Sequence, residues 1–359
     1  MSSLSRISVE DLPTKDFLIT EDKKIIDAIK TLNKNKKIVY VVSKDDFKLC
    51  GSITDGDIRR SLLGGFDVKS SVCEAMQATP KFLNKVTSDK ECIDYINKHQ
   101  VSSLPILDKK GRIVELVFKI NNFENKESID NNIERSALIM AGGMGKRLMP
   151  LTKNCPKPML LINNKPMLEI IINNLKKYGY NKIFISVNYL ANHIKDYFKD
   201  GSILDVEITY VEENKPLGTA GCLYHLRNKV NGPLLVMNGD IITSVNFEGL
   251  ISFHLKQRSD ATMVVRPHEV QSDFGVVSTH DLDIIGFEEK PVYVSYINTG
   301  IYMLNPGIFN YLDGSRKDMP NLFLDMKKDR LRTIAYPMHE DWKDIGNQEE
   351  YNSIKDEKF

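Results

Sequence analysis

Residues 136–162 read SALIMAGGMGKRLMPLTKNCPKPMLLI, and the fold turns on this stretch. The apolar run Ser136 to Ala141 has no polar alternation, which predicts a strand buried on both faces in a parallel sheet. It opens into Gly142-Gly143-Met144-Gly145. Glycines directly after a strand let backbone amides approach a phosphate chain. Cations follow at once in Lys146 and Arg147, and then in Lys157, held between Pro156 and Pro158. Flanking prolines restrict the backbone and so aim the lysine ammonium in one direction. Two rival phosphate motifs fail: a Walker A loop needs Ser or Thr after Gly-Lys, where Arg147 stands, and G-x-G-x-x-G would end on Leu148.

Downstream, the apolar run Pro233 to Met237 ends in Asn238-Gly239-Asp240. This places a carboxylate at the carboxyl end of a parallel strand, where α/β sheets bind ligands. Upstream, residues 121–135 (NNFENKESIDNNIER) are rich in Asn and charge, with no apolar period, and read as a linker. The expected division is 1–121, a linker over 122–135, and 136–359. The first segment carries 21 Lys+Arg against 17 Asp+Glu, net +4, and the remainder 28 against 31, net −3. Within the first segment a helical pattern over Asp22–Leu32, strand-like IVYVV (38–42) and a second strand lead into Gly51-Ser-Ile-Thr54-Asp-Gly-Asp57-Ile-Arg-Arg. A fainter copy runs from the helix-like Asp89–Gln100 through Ser102–Leu107 to Arg112–Phe118, so two β–α–β–β units in tandem are expected.

The 359 residues balance 49 Lys+Arg against 48 Asp+Glu, which argues against a nucleic-acid or anionic-membrane binder. No apolar run approaches the roughly 18 residues of a membrane span. The opening MSSLSRISVEDL carries acids where a signal peptide has its apolar stretch. The five cysteines are scattered, odd in number and without a CxxC pair, as expected of reduced thiols in a cytoplasmic protein.

The run GGMGKRLMPLT through PKP resembles the signature of the sugar-1-phosphate nucleotidyltransferases. Further pieces stand in that family's order: Pro216-Leu-Gly-Thr-Ala-Gly221, Asn238-Gly-Asp240, Phe274-Gly-Val-Val277, Glu288-Glu-Lys290-Pro, Ile297-Asn-Thr-Gly300 and Trp342-Lys-Asp344-Ile-Gly346. The resemblance implies a doubly wound, Rossmann-like mixed sheet of the GT-A kind. It also implies in-line attack of a sugar-1-phosphate oxygen on the α-phosphorus of a nucleoside triphosphate, with pyrophosphate leaving. It places Arg147 and Lys157 in catalysis, with Ala141, Gly142, Gly143, Gly145, Glu213, Pro216, Gly218 and Thr219 around the nucleotide. Gly275, Glu289, Lys290 and Asn298 would meet the sugar phosphate, and Asp240 with Asp344 would hold Mg²⁺. Residues 10–121 resemble a tandem CBS (Bateman) module. That family implies an adenine or guanine nucleotide effector at Thr54 and Asp57. The second copy departs from the pattern, with Phe118 and Asn121 at the matching positions, so one nucleotide site at most is expected. The plainer reading is that Thr54 and Asp57 cap a helix beginning at Ile58.

Glu213 bears on the choice of base. A carboxylate only accepts hydrogen bonds, and guanine presents N1–H and the N2 amino group side by side, whereas uracil and thymine flank one donor with acceptors. GTP is therefore expected over pyrimidine nucleotides. The two-part architecture resembles the bacterial glucosamine-1-phosphate guanylyltransferases of legionaminic acid synthesis; mannose 1-phosphate and a heptose 1-phosphate stay open. A homo-oligomer is expected, since CBS modules commonly pair. A non-catalytic nucleotide-sensing scaffold is the rival reading, and a degenerate relative of that kind should have lost Arg147, Lys157, Asp240 or Asp344; all four are present.

Overall fold

The computed structural model describes residues 3–8, 16–35, 38–84, 88–99, 101–120, 133–213 and 215–357. The chain separates into two compact units, residues 1–128 and 129–359. Most of the expected linker, together with Asn121, lies outside the described residues.

In the first unit, β1 (Ser3–Ser8) is followed by β2 (Leu18–Thr20), α1 (Ile25–Asn35), β3 (Val39–Val42), β4 (Leu49–Ile53) and α2 (Asp55–Leu63). Then come α3 (Asp89–His99), β5 (Ser103–Leu107) and β6 (Ile113–Ile120). Helix α1 buries Ile25, Ala28, Ile29 and Leu32, the i, i+3, i+4, i+7 face, against Val39, Val41 and Ile58. Strand β2 runs parallel to β3, and β3 antiparallel to β4. The second half differs from the expected β–α–β–β copy. Its leading strand is reduced to one parallel bridge, Leu83 to Ile106. The third strand of its sheet is β1, paired antiparallel with β6. Leu4 of β1 packs with the Cys92, Ile96 and Val117 cluster, and Ile7 with Leu116 and Phe118. This half-buried strand covers an edge of β6 that would otherwise stay open.

The second unit begins with β7 (Ser136–Met140), the two-residue strands β8 (Leu161–Ile162) and β9 (Lys165–Pro166), α4 (Met167–Lys177), β10 (Lys182–Val187), α5 (Ala191–Phe198) and β11 (Glu207–Glu212). It continues through the four-residue helix α6 (Gly218–Gly221), β12 (Leu234–Asn238), β13 (Ile241–Thr243), α7 (Phe247–Lys256) and β14 (Ala261–Gln271). The last elements are β15 (Val276–His280), β16 (Asp283–Glu288), β17 (Val292–Leu304), α8 (Met319–Lys328), β18 (Thr333–Pro337), β19 (Trp342–Asp344) and α9 (Gln348–Ile354). Seven strands form one mixed sheet in the order β11-β10-β7-β12-β17-β14-β18. Strand β7 pairs in parallel with both β10 and β12, and β17 runs antiparallel to β12 and β14. Ala137 and Ile139 enter one apolar core and Leu138 the other, which explains the unbroken apolar run of β7. The chain leaves β7 toward β10 and β11, then returns to place β12 on the other side. That reversal makes the β7–β12 crevice the topological switch point of the sheet.

One buried polar cluster holds the far side of this sheet. His254 of α7 has Nδ1 2.8 Å from the Thr262 hydroxyl and 2.9 Å from that of Ser259. Its Nε2 lies 3.0 Å from Asn305 Oδ1, and the Asn305 amide donates to the Ser259 carbonyl. Both ring nitrogens are satisfied, and burial lowers the His254 pKa against the opposing pull of Asn305 and Asp260.

Candidate active site

The Gly-rich turn leaves the carboxyl end of β7, and Asp240 leaves that of β12. Register ties the two ends together, with the Ala141 amide bonded to the Ser186 carbonyl and the Gly239 amide to that of Met140. Gly145 takes φ +61°, and a Cβ there would stand 2.9 Å from Thr152 and 3.1 Å from Lys157. Only glycine fits that combination of backbone and space. The Thr152 hydroxyl closes the loop by donating to the Gly145 carbonyl at 2.9 Å. Gly143 faces open space, where a ligand could approach its backbone.

Lys157 begins a single 3₁₀ turn, Lys157–Met159, and is buried. Its ammonium is ion-paired with Asp240 Oδ2. Asp344 ends β19, which pairs antiparallel with β13, and the Ile345 amide donates to the Asp240 carbonyl at 3.1 Å. The short β13–β19 ladder thus makes neighbours of two carboxylates 104 positions apart. Burial raises the Asp344 pKa, the nearby Asp240 charge raises it further, and Lys157 and Arg147 pull it back. Asp240 Oδ1 and Asp344 Oδ1 are both buried, and neither has a hydrogen-bond partner among the described residues. Two such orphaned anionic oxygens side by side are costly unless something cationic shares them.

Arg147 sits exposed in the 3₁₀ turn Lys146–Leu148. Its guanidinium rests where Gly346 has no side chain, since a Cβ there would stand 3.3 Å from Nη1. Glu350 holds that segment by accepting from the Gly346 amide at 2.6 Å and the Asn347 amide at 3.1 Å, while Asn347 caps α9. Neither Gly346 nor Glu350 was among the expected site residues, although Asn347-x-x-Glu350 is a capping-box pattern that a sequence can show.

Glu213 stands beyond β11, and its Oε2 accepts from the Leu217 amide at 3.1 Å. Its Oε1 faces Gly142, 3.6 Å from where a Cβ would be. One oxygen therefore pins the 215–217 turn and the other points toward the Gly-rich loop. Gly218, at φ +76°, has the Lys317 carbonyl and Asp318 carboxylate 2.6 Å from any Cβ. The Thr219 hydroxyl accepts from the Met319 amide at 2.8 Å, tying α6 to the start of α8. Pro216 is exposed.

Gly275 precedes β15, where a Cβ would meet Glu289 Oε2 at 2.9 Å, so the carboxylate lies on the glycine backbone. Lys290 is exposed with a left-handed φ of +46°. Asn298 donates to the Tyr302 hydroxyl at 2.7 Å and accepts from the Gly300 amide at 2.9 Å. In the first unit, Thr54 and Asp57 form a reciprocal capping box on α2, which starts at Asp55 rather than at Ile58. The Asp57 carboxylate takes the Thr54 amide at 2.8 Å, its hydroxyl at 2.5 Å and the Arg60 guanidinium at 2.5 Å.

The sequence pattern described as "Nucleotidyl transferase" matches residues 136–358, and that of the CBS domain matches residues 9–64. The mannose-1-phosphate guanyltransferase of Schizosaccharomyces pombe is 36% identical over 228 residues, covering 60% of this chain and 62% of that protein. The D-glycero-alpha-D-manno-heptose 1-phosphate guanylyltransferase of Campylobacter jejuni is 35% identical over 223 residues, 60% of this chain and 96% of its own length. A UTP–glucose-1-phosphate uridylyltransferase from Synechocystis is 32% identical over 236 residues, 60% of this chain and 61% of that protein. The chain thus spans about three fifths of the length of several relatives it matches. Among solved structures, a Bacillus anthracis protein described as a glucose-1-phosphate thymidylyltransferase, crystallised with sucrose, superposes with a TM-score of 0.51 at 26% identity. That match covers 63% of this chain and 97% of the other. No helix among the described residues is long and apolar enough to cross a membrane.

Proposed function

Because this chain belongs to the nucleotidyl transferase family, we propose that it transfers a guanylyl group from GTP to a sugar 1-phosphate. The observation that carries the proposal is the Lys157–Asp240–Asp344 cluster, with two orphaned carboxylate oxygens, at the switch point beside a Gly-rich turn. A phosphate oxygen of the sugar 1-phosphate attacks the α-phosphorus. The bond to the β-phosphate bridging oxygen breaks in line, and pyrophosphate leaves with its electron pair. No protein nucleophile is needed, so the chain's task is to gather two polyanions and offset their charge.

Arg147, exposed beside Gly346, offers a planar fork to the triphosphate. Lys157 supplies a compact charge for the α-phosphate, and its pairing with Asp240 orients the ammonium. The amides of Gly142, Gly143 and Gly145 line the phosphate path below Ala141. Lys290 serves the sugar phosphate, with Gly275, Glu289 and Asn298 toward the sugar hydroxyls. Asp240 and Asp344 suit Mg²⁺, because a hard cation prefers oxygen ligands and both residues keep an unpartnered one. Bound there, the ion would neutralise charge on the phosphates.

Glu213 favours GTP through its remaining acceptor, with Pro216, Gly218 and Thr219 shaping the neighbouring turn. The names of the Schizosaccharomyces and Campylobacter relatives support the same base. The Synechocystis relative is named for UTP and motivates the alternative of a pyrimidine nucleotide. For the sugar, α-D-glucosamine 1-phosphate is our first choice on architecture, followed by mannose and heptose 1-phosphates. The first unit is proposed as a tandem CBS module in which a purine nucleotide modulates activity. At Thr54 and Asp57 that ligand would have to compete with the α2 cap.

Pyrophosphate release from GTP, ATP, UTP and dTTP, each against a panel of sugar 1-phosphates with Mg²⁺, tests this reading. Turnover confined to GTP is the expected result. Turnover with UTP alone would remove the Glu213 argument, and none with any pair would overturn the enzyme.

A further inference from the structure

Asp240 and Asp344 reach the site on unequal supports. Asp240 follows β12, a central strand of the seven-stranded sheet. Asp344 ends β19, which pairs only with β13 among the described strands. A ladder of two short strands is marginal by itself, so β19 needs further ties to the sheet. Trp342 supplies them. It opens β19, and at the strand period of two it shares a face with Asp344. Its indole Nε1 donates to the Thr299 carbonyl at 3.0 Å. Its own carbonyl accepts from Arg266 Nη1 at 3.1 Å. The Arg266 guanidinium carbon also stands 5.9 Å from the centre of the indole ring, within cation–π range.

Both partners of Trp342 come from a bulge where β14 meets β17. Pairing passes from Met263–Tyr302 to Val265–Asn298, so Thr299, Gly300 and Ile301 oppose Val264 alone. Buried Thr299 donates its hydroxyl to the Val264 carbonyl at 2.8 Å. Gly300 takes φ +73°, and a Cβ there would stand 2.5 Å from the Asn238 amide nitrogen and 2.7 Å from Ile241. The bulge thus touches the chain on either side of Asp240 and, through Trp342, the strand that carries Asp344. Bulges beside sites re-aim side chains, and Arg266 stands just beyond this one. We propose that Arg266 is a positioning residue for the carboxylate pair: by holding Trp342 it fixes Asp344 where one divalent cation can share both carboxylates. The inference rests on the reading of Asp240 and Asp344 as the Mg²⁺ site. Arg266 is exposed and lies outside the motifs of the site, so its effect on the metal runs through the placement of β19. Without it Asp344 gains freedom that metal binding must remove, which lowers affinity.

Mg²⁺ titration of the full chain tests the proposal, read by calorimetry and by the emission of Trp342, the single tryptophan. Outer partners of metal ligands typically change metal affinity by 10–100-fold, so Arg266→Met is expected to bind Mg²⁺ roughly tenfold more weakly than wild type. Trp342→Phe keeps a ring but loses the donor to Thr299, and calorimetry should show a weakening in the same direction. In turnover, Arg266→Met should need more Mg²⁺ for half-saturation, yet reach a kcat within twofold of wild type when Mg²⁺ is in excess. Wild-type Mg²⁺ affinity in either variant, or a kcat that excess Mg²⁺ does not restore in Arg266→Met, would overturn the positioning role alone. Binding that survives undiminished in Asp344→Asn, or a wild type that binds no Mg²⁺, would instead overturn the metal reading of the pair and this inference with it.

Discussion

Two strand-to-turn junctions in this chain look alike on paper and end in opposite electrostatic states. At the end of β4, Thr54 and Asp57 spend their polar atoms on each other, on the first amides of α2 and on Arg60. At the ends of β7 and β12, Lys157 meets Asp240, yet Asp240 and Asp344 each keep a buried oxygen without a partner. The first junction is a closed account of donors and acceptors, which stabilises a helix. The second leaves valence open, with two buried carboxylate oxygens that no described group satisfies. A polar residue after a strand is informative about function only once its partners are counted.

The largest effect that would break this contrast is at Lys157. Lys157→Ala is expected to lower kcat by roughly 10³-fold, the scale of removing one well-placed charge stabiliser, with the circular dichroism spectrum retained. Turnover within threefold of wild type would remove Lys157 from the chemistry. Thr54→Ala should act on stability instead, costing about 1 kcal/mol as the α2 cap is lost. Urea denaturation of the full chain measures it, and an unchanged midpoint would show that the box contributes nothing.

Asp344→Asn should have the opposite sign from Thr54→Ala. A carboxyl whose folded pKa is raised favours the folded state when protonated, and that contribution is lost as pH rises through the folded value. At pH 7.5 the variant should therefore melt roughly 2 °C higher than wild type, the two converging as pH falls toward 4. Turnover should be lost at the same time. A lower melting point at pH 7.5 would show that the orphaned oxygens impose no strain.

The smallest effect lies outside both junctions, at His254. Its pKa is depressed, so its contribution is fully present above the ordinary value of 6.5 and is lost as pH falls through the folded value. A melting series should show a decline below pH 6.5 that is absent in His254→Gln. A decline of the same size in the variant would assign it to other groups.

The β7 strand, its Gly-rich turn and the cations after it were legible because they are local. An apolar run buried on both faces needs no alternation, and Gly145 announces a positive φ. The first repeat was legible for the same reason, through the 25, 28, 29, 32 stripe of α1. The second repeat misled, because its third strand, β1, comes from more than 100 residues earlier, and no local pattern specifies which edge a strand will cover. Gly346 stood in a quoted motif without a role, and Glu350 was missed: their meaning is the guanidinium of Arg147, some 200 positions away.

By itself, then, the sequence determined the β7 strand with its Gly-rich turn, the first repeat, and the list of candidate acids and bases. Tertiary structure decided which of those groups meet. The β13–β19 ladder sets Asp344 beside Asp240, Lys157 reaches that pair, and Thr54 closes on Asp57 instead of staying open. Hydrogen-bond and charge balance are properties of neighbours in space. Only the folded chain could distinguish a carboxylate with its valence used from one still holding it in reserve.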